Sequence, residues 1–507
     1  MKNKIHNLND LSKILDKKRK DGYKIVMCHG VFDLIHLGHL EHFREAKKNG
    51  DILVVTTTSD QFINKGPGKP YFPSLIRKKV LNNLEIIDYI SEIDDESAVK
   101  GINKIRPDFY CKGVDYKKNN LDLTKNIKKE VNAVKKNNGK IIYTNEISFS
   151  SSKLLNLQEN IFNQNQRKEI NKIKKLYNLD EIEKIFKKIK KMNILVIGEI
   201  IIDEYISVDP LGKSGKDPIM MFRELYVEKF LGGSGYIANN ISNFCKKVNL
   251  ISIVGEKFEY KKFIQNKLNK NVKLQFINKA NSPTILKRKY IDNLSKNKLT
   301  GFYQFNDNNL NAQENIKLIK YLKSEIKKAD LVLVSDYDHG MISQSIANFI
   351  SNNSKFLITN TQFNAANTGH HTINKYKNTD FLFTNEKELR HEMRDKISNI
   401  KVIVKKFMNK SKIKNLIVTQ GSDGAILFSN KKNQFYKSEA YTKKVIDKIG
   451  AGDTLMSIFS IFIKASKNSE LSVFLASLAA AYSVENLGNS KSITSKSLLK
   501  SLTHILK

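Results

Sequence analysis

The chain has 507 residues, too many for a single hydrophobic core, so two or three domains are expected. It is 40% hydrophobic and 27% charged, the balance of a soluble globular protein, and its longest apolar runs are too short to cross a bilayer. The formal net charge of +36 is spread along the chain with no zinc-ligand spacing and no aromatic-basic strand motif; it reads as a lysine-rich surface that attracts phosphorylated substrates, not as a nucleic-acid footprint.

The opening segment "MKNKIHNLNDLSK" lacks the apolar core of a signal peptide, which points to a cytoplasmic protein. Cys28, Cys111 and Cys245 lie far apart without CxxC spacing, which suits a reducing compartment and argues against a disulfide framework or a zinc site. Residues 8 to 20 read as a helix, followed by the strand "KIVMCHGVF", the helix "HLEHFREAKKNG", the strand "DILVVTTTSD" and the helix "SLIRKKVLNNLEII". The strands "DFYCKG" and "KIIYTNE" close this segment. Alternating strands and helices with short connections predict a parallel α/β sheet wrapped on both faces, over residues 1–157.

Residues 158–191 are polar and basic with apolar positions at helical spacing, a helical linker. The strand "NILVIGEIIID" then opens a second doubly wound α/β unit, residues 192–507. Its further strands include "KVNLISIVG", "ADLVLVSDY", "KFLITNT", "DFLFTNE" and "NLIVTQG", and "LMSIFSIFI" and "VFLASLAAAYSV" read as buried helices.

The first motif is "GVFDLIHLGH", residues 30 to 39, of the form G-x-F-D-x-x-H-x-G-H. It follows an apolar strand and precedes a helix, a place where free backbone N–H groups and the positive end of a helix dipole gather. Gly30 lets the backbone approach a phosphate, and Gly38 removes a side chain from the same space. His36 and His39, three apart, sit on one side of the turn and can donate to phosphate oxygens. A sugar phosphate is already an anionic nucleophile, so such a site needs to position reactants and stabilise charge, with no general base.

This stretch resembles the cytidylyltransferase-like nucleotidyltransferases, and more closely the adenylyltransferase half of the bifunctional enzymes that make ADP-heptose. Supporting stretches are "NKGPGKPYFPSLIR" (64–77), "PDFYCKGVDY" (107–116) and "FSSSKLLN" (149–156). The resemblance implies that His36 and His39 are catalytic and hold the triphosphate, with Gly30, Phe32, Asp33 and Gly38 around it. It puts Lys112 and Asp115 in the family's KGxDY element, and Ser150, Ser151 and Ser152 at a helix start facing phosphate. Taken alone, "KGVDY" reads as a turn and "FSSSKLL" as a helix N-cap. Ahead of the serines the chain has "NEIS" where relatives often carry Arg or Gly.

The second motif is "VIDKIGAGDTLMSIF", residues 445 to 459. By itself it fits an N-cap as well as an anion hole. In the second reading Gly450, Ala451 and Gly452 aim N–H groups at a transferring phosphoryl, and Asp453 takes the proton of an attacking sugar hydroxyl. This half resembles the ribokinase-like (PfkB) sugar kinases from end to end. The resemblance assigns Asp203, Gly232, Gly233, Asn239 and Asp336 to the sugar, and Asn385 and Glu388 to phosphate and, indirectly, Mg2+. Thr419 and Gly421 would lie beside ATP, with Asn486 and Gly488 closing the adenine pocket. The chain departs from heptose-phosphate kinases at His339, where they have Lys, and at "TNTQ" (359–362), where they have Asp-Pro-Lys.

Together these readings give two doubly wound domains, Rossmann-like HxGH nucleotidyltransferase first and ribokinase-like kinase second, the reverse of the known heptose enzyme. They imply a bifunctional enzyme with ATP as substrate, Mg2+ as cofactor and a sugar phosphate as the other reactant. Relatives of both halves often dimerise, which makes a homodimer one possible state and leaves the oligomeric state open. A cytidylyltransferase for another sugar or polyol phosphate, fused to a non-heptose kinase, remains the alternative.

Overall fold

The apolar runs that alternate with helices in the first third of the chain form five parallel strands: β1 (Ile25–Gly30), β2 (Ile52–Thr58), β3 (Tyr89–Ile93), β4 (Phe109–Gly113) and β5 (Lys140–Thr144). The computed structural model describes residues 3–63, 69–113, 126–144, 162–363, 367, 372–442 and 445–506. Within it the chain divides into two compact units, Met1–Arg167 with Lys496–Lys507, and Lys168–Ser495.

The first unit's sheet has the order β3-β2-β1-β4-β5. Alternate residues of each strand face opposite sides, so one strand serves two cores. Ile25 and Met27 pack with Leu11 and Leu15 of α1 (Leu8–Lys20), while Val26 and Cys28 pack with Phe43 of α2 (Leu37–Lys47) and Leu81 of α3 (Ser74–Asn82). Helices α4 (Val99–Ile105) and α5 (Asn126–Lys136) complete the first face with Ile102 and Val134. Cys28 and Cys111 are register neighbours on β1 and β4, both buried and neither in a disulfide. The strand order reverses between β1 and β4, and a crevice at the carboxyl ends of such strands is where ligands bind in open α/β sheets.

The basic stretch after this unit is helical, as its spacing predicts: α6 (Gln164–Leu176) and α7 (Leu179–Ile189). Ile182, Phe186 and Ile189 of α7 are buried, and the Phe186 ring lies 5.1 Å from that of Phe462.

The second unit is built on a nine-stranded sheet, order β10-β9-β6-β13-β14-β15-β16-β17-β18. Its strands are β6 (Ile194–Gly198), β9 (Val248–Gly255), β10 (Val272–Lys279), β13 (Leu331–Asp336), β14 (Leu357–Thr361), β15 (Phe381–Asn385), β16 (Asn415–Thr419), β17 (Ala425–Ser429) and β18 (Gln434–Ser438). All neighbours are parallel up to β16, and the last two strands fold back antiparallel. Flanking helices are α8 (Gly233–Ser242), α9 (Lys261–Lys267), α10 (Ala312–Ile326), α11 (Gln344–Asn353), α12 (Glu386–Met393), α13 (Ile400–Lys410), α14 (Ala451–Ser466) and α15 (Ser469–Val484). Helices α14 and α15 carry the two long apolar runs and are buried on most sides, as expected from their sequence. Among the described residues no helix is long and apolar enough to cross a membrane. The last helix, α16 (Ser495–Leu506), lies almost wholly in residues that belong to the first unit.

The segment "NILVIGEIIID" is two strands rather than one. At Gly198 a Cβ would lie 2.0 Å from the Ser335 carbonyl oxygen, so only glycine lets the chain pass β13 this closely. Beyond it β7 (Ile200–Lys213) leaves the main sheet for a four-stranded one, order β12-β11-β7-β8, with β8 (Met220–Gly232), β11 (Leu286–Asp292) and β12 (Lys298–Gln304). Its outer part exposes Leu211, Ile219, Met221, Phe222 and Tyr226. The sequence reading did not anticipate this sheet, because β8, β11 and β12 lack the continuous burial that marks a parallel strand.

Candidate active sites

In the first unit the loop after β1 carries the HxGH residues. Phe32 takes a positive φ of 50° and packs its ring 5.4 Å from His39 and 5.2 Å from Phe43, which wedges the turn against α2. A Cβ on Gly30 would meet the Phe32 ring at 3.0 Å, so a side chain there would push that ring aside by a few tenths of an ångström. His36 caps α2, and its ring stacks on His39 at 3.9 Å with the planes 28° apart. Gly38 is buried in the first turn between them. The two imidazoles therefore share one place at the carboxyl edge of the sheet, as their spacing predicts.

Two residues assigned to the nucleotide have other partners. Asp33 accepts the backbone N–H groups of Tyr71 and Phe72, both at 2.8 Å, and so pins a neighbouring loop to the motif. Lys112 lies at the end of β4, 8% exposed, with its Nζ 3.1 Å from Glu130 Oε2. Glu130 also accepts from Tyr110 Oη at 3.0 Å and Ala98 N at 3.0 Å. Burial opposes charge on Glu130, but the Lys112 cation prevails and holds its pKa below the usual range. Asp115, Ser150, Ser151 and Ser152 lie outside the described residues.

His29 sits beside this pair on β1. Burial, with a further push from Lys112, lowers its pKa to about 4, so it is neutral. Its ring bonds Thr56 Oγ1 at 3.0 Å and Thr58 Oγ1 at 3.2 Å. Arg77, 1% exposed, ties the site together: its guanidinium donates to the carbonyls of Val31 (2.5 Å), Phe72 (3.1 Å) and Thr58 (2.9 Å) and to Asp60 Oδ1 (2.6 Å).

In the second unit a cleft gathers Asn385, Glu388, Thr419, Gly452 and Asp453 with Asn360 and Gln362 of the "TNTQ" stretch. Helix α14 starts here. Gly450 is its N-cap with φ of 81°, and a Cβ there would fall 2.1 Å from Asn489 Oδ1. A Cβ on Gly452 would meet nothing within 4 Å, so that turn faces open space. The first N–H groups of a helix have no intrahelical acceptor and the dipole adds positive potential, the setting an anion requires.

Asp453 keeps some exposure, yet burial drives its pKa up to about 6. The Tyr337 phenol works against that rise, donating to Asp453 Oδ1 at 2.9 Å; nearby Asp203 adds to it and Lys287 opposes it. Asp203, 5% exposed, receives Lys289 Nζ at 2.7 Å. A Cβ on Gly232 would come within 2.4 Å of Asp203 Oδ2, and Gly233 has φ of 58°, so both glycines serve the backbone around this carboxylate. Asn239 is turned to structure, bonding Lys267 O and Asn269 N, each at 2.9 Å.

Asp336 is fully buried beneath the cleft. It binds Lys375 Nζ at 2.7 Å and the Tyr376 phenol at 2.8 Å. Next to it Glu199, also fully buried, is pushed up to about 7 by burial and by Asp336. His339 is 1% exposed, its Nδ1 2.9 Å from Asp307 and its pKa lowered mainly by burial. Lys279 Nζ donates to the His339 carbonyl at 2.9 Å.

Asn385 and Glu388 are a reciprocal cap of α12: Asn385 Oδ1 accepts Glu388 N at 2.8 Å, and Glu388 Oε2 accepts Asn385 N at 2.9 Å. They face the cleft as well. Among the described residues no three His, Cys, Asp or Glu side chains cluster as a metal cage. Thr419 lines the cleft, and Gly421 begins the turn between β16 and β17 with φ of 61°.

Sequence reasoning missed Arg77, Glu130, Tyr337, Lys287, Lys289 and Lys375. A lone cation in a chain with 87 Lys and Arg residues carries no signal until a carboxylate is seen beside it.

Comparison with known proteins fits this geometry. Residues 191–496 match the pfkB family of carbohydrate kinases, and residues 27–157 match the cytidylyltransferase-like family. The bifunctional protein HldE of Nitratiruptor sp. is 26% identical over 301 residues, 59% of this chain and 62% of that protein. HldE of Hahella chejuensis is 38% identical over 113 residues, 22% of this chain and 24% of that protein. In each case the chain spans less than two thirds of the relative's own length. Phosphofructokinase-2 from Escherichia coli, 14% identical, superposes with a TM-score of 0.51 over 62% of this chain and 100% of its own, which shows the fold alone. The chain therefore belongs to the pfkB family of carbohydrate kinases, and it carries a cytidylyltransferase-like region ahead of the kinase, the reverse of the usual order in HldE-like proteins.

Proposed function

We propose that this chain is a bifunctional cytoplasmic enzyme of nucleotide-activated sugar synthesis. The second unit phosphorylates a heptose-like sugar or sugar phosphate with ATP. The first transfers a nucleotidyl group, from ATP, to a sugar 1-phosphate and releases pyrophosphate. The observation that carries the reading is Asp453, which lines the cleft at the open start of α14 with its pKa raised to about 6.

In the kinase, Asp453 accepts the proton of the attacking hydroxyl as the first turn of α14 binds the transferring phosphoryl. Asp203, fixed by Lys289, orients the sugar hydroxyls. Asn385 and Glu388 offer oxygens on the cleft wall and fit a Mg2+ held through water, since that ion keeps several waters and takes few protein ligands. When bound, the ion neutralises phosphate charge. In the nucleotidyltransferase, His36 and His39 donate to the triphosphate, and the anionic sugar phosphate attacks without a protein base.

The exposed apolar side chains of the four-stranded sheet, Met221, Phe222 and Tyr226 among them, support a homodimer. The deciding test is pyrophosphate release by the full chain with ATP and with CTP against a panel of sugar 1-phosphates, beside kinase assays on the same sugars. Preference for CTP would replace the ADP-heptose reading with the cytidylyltransferase one, and absence of ATP consumption would end the kinase reading.

A further inference from the structure

The kinase unit begins ahead of the region that matches its family. Residues from Lys168 onward group with the second unit, although the family match starts at 191. These added residues include most of α6. Ile170 and Ile173 of that helix are buried, and Lys172 Nζ pairs with Glu470 Oε1 in the first turn of α15. Tyr177, just past the helix, accepts Asn468 Nδ2 on its phenol oxygen at 2.6 Å.

On the same helix Glu169 reaches the segment that leaves β18. Its Oε2 accepts both the Glu439 backbone N–H at 2.9 Å and the Tyr441 phenol at 2.7 Å. Tyr441 is 2% exposed, and its ring meets Phe474 of α15 edge-on at 5.5 Å. Burial raises the Glu169 pKa, and these two donors pull against the rise. The segment they hold lies directly under the turn between β16 and β17. Ser438 pairs with Ala425 in the ladder, and a Cβ on Gly424 would fall 2.0 Å from Ser438 O and 2.8 Å from the Glu439 carbonyl carbon. Gly424 O accepts Gln420 N at 2.8 Å, which closes a turn that starts beside Thr419 on the cleft wall. With backbone packed this closely, a displacement of Glu439 displaces Gly421–Gly424 as well.

We propose that Glu169 is a positioning residue of the kinase: by holding Glu439 and Tyr441 it fixes the β16–β17 turn on which ATP rests, and so sets the affinity for ATP from outside the family region. This rests on the kinase reading, with Thr419 and Gly421 beside ATP. Glu169 touches no reactant and takes no part in proton transfer. The side chain that replaces it must offer one acceptor to two donors, which an amide oxygen does and a methyl group does not.

The test uses the full chain with Glu169→Ala, Glu169→Gln and Tyr441→Phe. It reads KM for ATP and for the sugar separately, and hydrogen exchange of residues 419–424 as ATP is added with Mg2+. Glu169→Ala should raise KM for ATP about tenfold, and should need about tenfold more ATP for the same protection, the scale of one charge-assisted hydrogen bond. KM for the sugar and the thermal midpoint should stay near the native values, and Glu169→Gln should restore most of the ATP affinity. A native KM for ATP in Glu169→Ala would overturn the proposal, as would an equal rise in both KM values. Should Glu169→Ala fail to fold, Tyr441→Phe decides alone, since it deletes one of the two bonds and keeps the ring: a rise in KM for ATP of about threefold or more supports the proposal, and a native value overturns it. Protection of 419–424 without turnover in the native chain would refute the kinase reaction and leave the positioning role to be read from exchange. Turnover without that protection would overturn the positioning role and leave the kinase standing.

Discussion

Tyr337 donates its phenol proton to Asp453 Oδ1 at 2.9 Å, and this bond stabilises the charged form of a carboxylate whose surroundings disfavour it. Because Asp453 must be deprotonated to act as base, kinase kcat/KM should fall as pH drops through about 6, well above the usual carboxylate range. Tyr337→Phe removes the stabilising donor, so the acid limb should move to higher pH. Asp453→Asn should lower kcat by about three orders of magnitude with nucleotidyl transfer intact. A pH–rate profile of each variant checks this; an acid limb unmoved in Tyr337→Phe would separate the tyrosine from the base.

His39→Ala should abolish pyrophosphate release and leave kinase turnover unchanged. The imidazole stacks on His36 at 3.9 Å, so its loss also frees His36 from its position. Parallel assays of both reactions on one preparation give the answer, and normal pyrophosphate release would end the proposed role of the pair.

Gly450→Ala should cut kinase activity at least about tenfold with little change in sugar affinity. The φ of 81° disfavours a side chain, and the new Cβ would fall 2.1 Å from Asn489 Oδ1, so the start of α14 must shift. A misplacement of that size at the phosphoryl site acts on kcat, which steady-state kinetics separates from KM.

Arg77→Ala should destabilise the first unit by about 3 kcal/mol, since it leaves three carbonyls and Asp60 without their donor. Denaturant unfolding monitored in each unit separately measures this, and the kinase signal should not move.

Phe222→Lys together with Met221→Glu should turn a dimer into a monomer, because these consecutive residues of β8 are both exposed, one on each side of the four-stranded sheet. Light scattering across a concentration series reads the mass. A native chain that is monomeric at every concentration would refute the dimer.

Much of both folds was legible because parallel strands buried on both faces write themselves as continuous apolar runs, as in Ile25–Cys28 and Leu331–Val334. The two motifs were legible for a related reason: glycine and histidine at a strand-to-helix turn have few structural uses. What stayed hidden was pairing at a distance. That Lys112 is held by Glu130, that Asp33 clamps Tyr71 and Phe72, and that Asp336 lies under the cleft with Lys375 all depend on partners far along the chain. The four-stranded sheet was hidden for the opposite reason, since its outer residues are apolar yet exposed.

The placement of α16 has a consequence for biosynthesis. The first unit gains this helix only after residues 495–506 have been added, so its maturation waits until the kinase-family region 191–496 has been made. A stop codon that removes residues 495–506 would then injure the nucleotidyltransferase-like unit while leaving nearly all of the kinase-family region encoded.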